Sequence, residues 1–102
     1  MSGRPLLEIS FDAEVIHWRG PAPFIFAAVP RHHVAAIREA ARIASYGWGC
    51  VPVAAEANGV RFNTSLFPRN DTYMVPLKKA MRAQADIAIG DVIAMTIEIS
   101  VL

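Results

Sequence analysis

From Leu7 to Val15 every odd-numbered residue is apolar and every even-numbered one is polar. Side chains alternate across a strand with a period of two, so this pattern predicts a strand with one buried face. Leu7, Ile9, Phe11, Ala13 and Val15 face inward, and Glu8, Ser10, Asp12 and Glu14 face outward. The same period returns near the end of the chain, where Ile93, Met95, Ile97, Ile99 and Val101 alternate with Ala94, Thr96, Glu98 and Ser100. A chain with such strands at both ends must bury a sheet face.

Between them lie further strands. Phe24–Val29, "FIFAAV", is apolar on both faces and reads as a central strand. "CVPVAAEA" follows as another strand, with Pro52 marking an edge or a bulge. Asn58-Gly59 is a two-residue hairpin signal, because both turn positions favour positive φ. The return strand "VRFNTSLF" points Val60, Phe62, Thr64 and Leu66 inward, and Arg61, Asn63 and Ser65 outward. "PRNDT" reads as a loop, "YMVP" as a short strand and "IGD" as the turn into the last strand.

Two helices complete the reading. Pro30 starts the first, "RHHVAAIREAARIAS", with an apolar stripe of Val34, Ile37, Ala41 and Ala44. Arg31, Arg38 and Arg42 share another face, and Gly47 and Gly49 mark the stop. The second, "LKKAMRAQA", is about two turns long. Leu77 and Met81 turn to the core, and Lys78 and Arg82 fall at i, i+4 with Lys79 beside them. Six strands and two short helices, without repeating strand-helix-strand units, predict a mainly β fold. The expected form is a small six-stranded, antiparallel-dominated barrel of double-split-barrel type. Residues 1–102 make a single domain.

Charge supplies the functional clue. The chain carries a net charge of only +1, yet Gly59–Arg82 holds five of its ten Lys and Arg residues and one of its nine acids. If the hairpin and the second helix meet, Arg61, Asn63, Ser65, Lys78, Lys79 and Arg82 form a basic, polar face. Such a mixture of cations and neutral donors suits a small anion, a phosphate or carboxylate, or an anionic partner. A solvated helix face is the simpler explanation of the same charges.

The other function classes have less to stand on. Nucleic-acid binding that survives physiological salt needs about six to ten phosphate contacts. A near-neutral chain with Glu8, Asp12 and Glu14 along one strand face is poorly suited to that. His17, His32, His33 and Cys50 are the candidates for metal or nucleophilic chemistry. They lack a metal-ligand spacing and a flanking catalytic motif, so no catalytic residue, metal or cofactor is assigned. Cys50 reads as a small buried hydrophobe, and His17 as a hydrogen-bonded histidine on the inward side of its strand. Trp18, Tyr46 and Trp48 read as aromatics closing a barrel mouth.

A hydrophobic content of 54% is high for a domain this small, which leaves apolar surface for a partner subunit, most simply in a homodimer. No apolar run reaches about 18 residues, so no membrane span is expected. "MSGRPLLEIS" does not look like a secretory signal. A single cysteine fits a reducing cytoplasm.

The order "FDAEV", "FIFAAVP", "GWGCVPVAAEANGVRF", "TSLFP", "YMVPLKKAMR" and "GDVIAMTIE" resembles DUF1905. This is a bacterial barrel family of unknown function whose members also occur fused to a YdeI/OmpD-associated bacteriocin-protection domain. The resemblance covers most of the chain and implies a fold without an activity. It also implies asparagine where Lys78 stands and glycine where Asp86 stands. An Asp can hold a left-handed helix end, so the second departure leaves the fold intact. The first changes the charge of the candidate face. The stretch "VPLKKAMRAQADIAIGDVIAMTIE" is also similar to the half-barrel of dimeric swapped-hairpin transcription regulators. That likeness makes a DNA-binding dimer the first alternative, with an enzyme of unassigned chemistry as the second.

Overall fold

The computed structural model describes residues 5–18, 24–44 and 50–100. Its strands are β1 (Leu7–Trp18), β2 (Phe24–Ala28), β3 (Val51–Ala57), β4 (Val60–Arg69), β5 (Thr72–Pro76) and β6 (Val92–Ile99). A 3₁₀ turn, Arg31–His33, leads into helix α1 (Val34–Ala44), and helix α2 spans Lys79–Ala85. The strands close into a barrel in the order β1-β2-β5-β4-β3-β6, antiparallel at every seam. The mainly β barrel expected from the alternation is therefore the observed fold.

Closure relies on two long strands that change partners. β1 pairs with β6 over Leu7–Glu14 and with β2 over Val15–Trp18. β4 pairs with β3 over Val60–Leu66 and with β5 over Phe67–Arg69. Such strands form the corners between two sheets that share one core. Pro52 sits opposite Ser65, but the β3–β6 ladder begins only at Ala54. Its missing N–H therefore falls at a locally open edge, as the sequence suggested.

The interior is filled as the period of two requires. Ile9, Phe11, Ala13 and Val15 of β1 meet Ile93, Met95, Ile97 and Ile99 of β6, with Val51, Val53, Ala55, Leu66 and Val75 from the other strands. Val34, Ile37 and Ala40 of α1, with Met81 and Ala85 of α2, join this core. Ala40 is buried where the stripe predicted Ala41, which is half-buried. The stripe runs between the two positions. Cutting fully buried Ile97 back to alanine would cost about 2–5 kcal/mol through lost burial and the resulting cavity.

Three expectations need adjustment. "PRNDT" is not a loop: β4 runs on to Arg69, and Asn70 and Asp71, at φ 53° and 63°, form a second two-residue hairpin turn. Both residue types tolerate the left-handed region, which permits the turn without glycine. α2 starts at Lys79, two residues after the expected start, because Lys78 is extended at φ −72°, ψ 155°. Cys50 is half-buried, not fully buried. Tyr46, Gly47, Trp48, Gly49 and Val101 lie outside the described residues, as does the side chain of Ala44.

Candidate functional site

The outward residues of β4 continue Arg61, Asn63 and Ser65 into Phe67 and Arg69, since the alternation does not stop at the corner. On the outer sheet surface Arg61 stands opposite Glu56. Asn63 stands opposite Ala54, which is paired with Glu98, and Glu98 in turn faces Glu8. Arg61 thus lies among acids, in a shallow groove of about 210 Å³ that it shares with Glu56, Thr96 and Glu98. A hydrogen bond that the protonated Glu8 carboxyl donates to Glu98, then the like charge of Glu98 and some desolvation, push the Glu8 carboxyl above its ordinary value, and Arg61 opposes them.

The helical cations are placed by backbone bonds. Leu77 N–H donates to the Ile25 carbonyl at 2.9 Å, which anchors the segment before α2 to β2. Leu77 and Met81 are buried, so Lys78 and Lys79 point outward. Arg82 N–H donates to the Lys78 carbonyl at 3.0 Å, so these residues still lie one helical turn apart. Arg82 is half-buried as a residue, with its Nε donating to the Leu77 carbonyl at 2.9 Å. That bond holds the arginine against the helix start, and its terminal nitrogens remain available as donors.

Two grooves meet at Pro76 and Lys78. One, of about 660 Å³, is lined by Pro52, Asn63, Ser65, Lys78 and Glu98 among others. The other, of about 490 Å³, has Phe24, Phe67 and Leu77 as its wall and Lys78, Lys79 and Arg82 at its rim. Five of the six nominated side chains therefore line two adjoining grooves, with Lys78 in both. Arg61 belongs to the acid-flanked third.

The apolar wall is what the sequence reading lacked. Phe24 packs on Phe26 at 5.2 Å and edge-on to Phe67 at 5.5 Å between ring centroids. Phe26 is buried, yet it lies outside the barrel core. These rings form a second apolar cluster on the outside of the β2-β5 sheet. The signal was present: a strand apolar on both faces needs a cover on both, and the continued alternation of β4 puts Phe67 outside with Ser65.

The remaining candidates lie elsewhere. His32 and His33 have ring centroids 4.1 Å apart, and burial followed by the neighbouring His32 lowers the His33 pKa. His17 is half-buried opposite Ile25. Trp18 carries Arg69 over its ring. Among the described residues no group of three or more His, Cys, Asp or Glu side chains could hold a metal ion. No described helix is long and apolar enough to cross a membrane.

Residues 11–97 match the model of a family described as "Domain of unknown function (DUF1905)". No curated protein matches the chain.

Proposed function

This chain belongs to the DUF1905 family, and on that premise we propose that it is a non-catalytic binding module for a small anion or an anionic partner group. Lys78, Lys79 and Arg82 supply the charge, and Asn63 and Ser65 supply neutral donors along the adjoining groove. Arg61 stands at the acidic margin, where it balances Glu56 and Glu98. The observation that carries the reading is the sharing of one rim by three cations in a groove whose lining holds no carboxylate among the described residues, Glu98 entering only the adjoining one. Among the described residues the salt bridge is Arg42–Glu39, on the exposed side of α1. Cations that are solvated but not neutralised are ready to meet an incoming anion.

The homodimer belongs to the same proposal. Val92, Ile89, Ile43 and Ile16 are 71%, 54%, 62% and 39% exposed, and a partner subunit would cover apolar surface of this kind. A cytoplasmic setting accords with the single cysteine. A DNA-binding dimer has less support, because Glu8, Asp12, Glu56 and Glu98 occupy the outer face of the β1-β6-β3 sheet and repel phosphate.

The test replaces Lys78, Lys79 and Arg82 together by alanine. Thermal shifts of the native protein and the variant are then measured with phosphate, sulfate, citrate and a sugar phosphate. A ligand that binds only the folded state raises the melting temperature. The native protein is expected to gain stability with at least one anion that leaves the variant unmoved. Equal shifts for both proteins with every anion would reject the reading.

A further inference from the structure

We infer that the ligand is an amphiphilic organic anion, a negatively charged group on a flat apolar body, held in the groove between Phe24, Phe67 and the start of α2. This deepens the reading above and rests on it. The groove joins two chemistries. Its wall is the aromatic pair Phe24 and Phe67, whose centroids lie 5.5 Å apart, together with Leu77. Its rim is Lys78, Lys79 and Arg82. At about 490 Å³ it falls in the size range of small-molecule sites, which are apolar in the main with a few placed polar groups.

Charge complementarity selects the occupant. An inorganic anion would engage the rim and leave the aromatic wall wet. A neutral apolar molecule would fill the wall and leave the rim to water. A ring bearing a carboxylate or phosphate satisfies both, stacking or edge-packing on Phe24 and Phe67 while its oxygens face the cations. The Arg82 Nε bond to the Leu77 carbonyl orients the guanidinium beforehand, so less side-chain freedom is lost on binding.

The experiment titrates the native protein with 2-naphthoate, 2-naphthylmethanol, acetate and phosphate, following backbone amides by NMR. 2-Naphthoate is expected to shift the amides of Phe24, Phe67 and Lys78–Arg82. It should bind at least about tenfold more tightly than 2-naphthylmethanol, which lacks the charge, and than acetate, which lacks the body. Lys79→Glu, at an exposed position, should weaken 2-naphthoate by a similar factor. Phe67→Ser should do the same without weakening phosphate. If Phe67→Ser does not fold, the four-ligand comparison on the native protein decides alone. Acetate or phosphate binding at these amides as tightly as 2-naphthoate would overturn the inference and leave the anion site standing. Equal binding of 2-naphthylmethanol and 2-naphthoate would overturn the inference, and no binding by any anion would overturn both.

Discussion

The side-chain amide of Asn58 donates to the carbonyl oxygen of Ala85 at 3.3 Å. The tip of the β3–β4 hairpin is thereby pinned to the last residue of α2. Asn58 serves twice, since its φ of 48° also forms the turn with Gly59 at φ 80°. Asn58→Gly keeps the turn geometry and removes the tie, so it should cost about 1 kcal/mol in urea unfolding. Asn58→Asp tolerates the same backbone but turns a carboxylate oxygen toward a carbonyl. It should cost more than the glycine variant.

Asp86 ends α2 in the left-handed conformation, at φ 56° and ψ 51°. Two terms oppose it: the Cβ strain of that conformation and a negative charge at the negative end of a helix. Asp86→Gly removes both and should raise unfolding stability by about 0.5–1 kcal/mol. No rise in the urea midpoint would contradict this account of the cap.

Arg69 places its guanidinium carbon 3.9 Å from the centre of the Trp18 ring. β2 and β5 separate their strands in the barrel order, so the contact crosses two strands on the outside of the sheet. Arg69→Met keeps most of the side-chain bulk and removes the charge. It should destabilise the fold by about 0.5–1 kcal/mol and change the tryptophan emission spectrum. An unchanged spectrum and melting curve would show that the stacking contributes nothing.

Glu8 and Glu98 oppose each other across β1 and β6. The hydrogen bond that protonated Glu8 donates to Glu98, and the like charge of Glu98, raise the Glu8 pKa in the folded protein. A raised carboxyl pKa means that the native state binds its proton more tightly than the unfolded chain. The stabilisation is therefore complete below the ordinary glutamate value of 4.5 and is lost as pH rises through the raised one. Glu8→Gln should flatten stability against pH in that window and leave stability at neutral pH equal or higher. Arg61→Met should move the native transition further upward, because it removes the opposing charge. Chemical denaturation at a series of pH values measures both.

What the residues determined alone were the local and periodic features. Alternation chose the buried faces of β1 and β6, Asn58-Gly59 chose one hairpin, and the apolar spacing of Leu77 and Met81 oriented α2. These are effects of neighbours along the chain, and one sequence contains them. The second hairpin escaped because Pro68 reads as a strand breaker and Asn70-Asp71 has no glycine. In the barrel Pro68 pairs with Tyr73 on a strand that continues past the corner.

Only closure decided the site. Phe24 and Phe67 lie far apart in the chain and on strands that β5 separates, yet twist and the β4 corner bring their rings together beside Lys78. The Asn58-Gly59 hairpin already sets Arg61 opposite Glu56, and closure added Glu98 from β6, in a groove separate from the one the helical cations line. The periodicity states which way each side chain points. Which outward residues become neighbours depends on strand order and register, and those follow from burying the whole barrel at once.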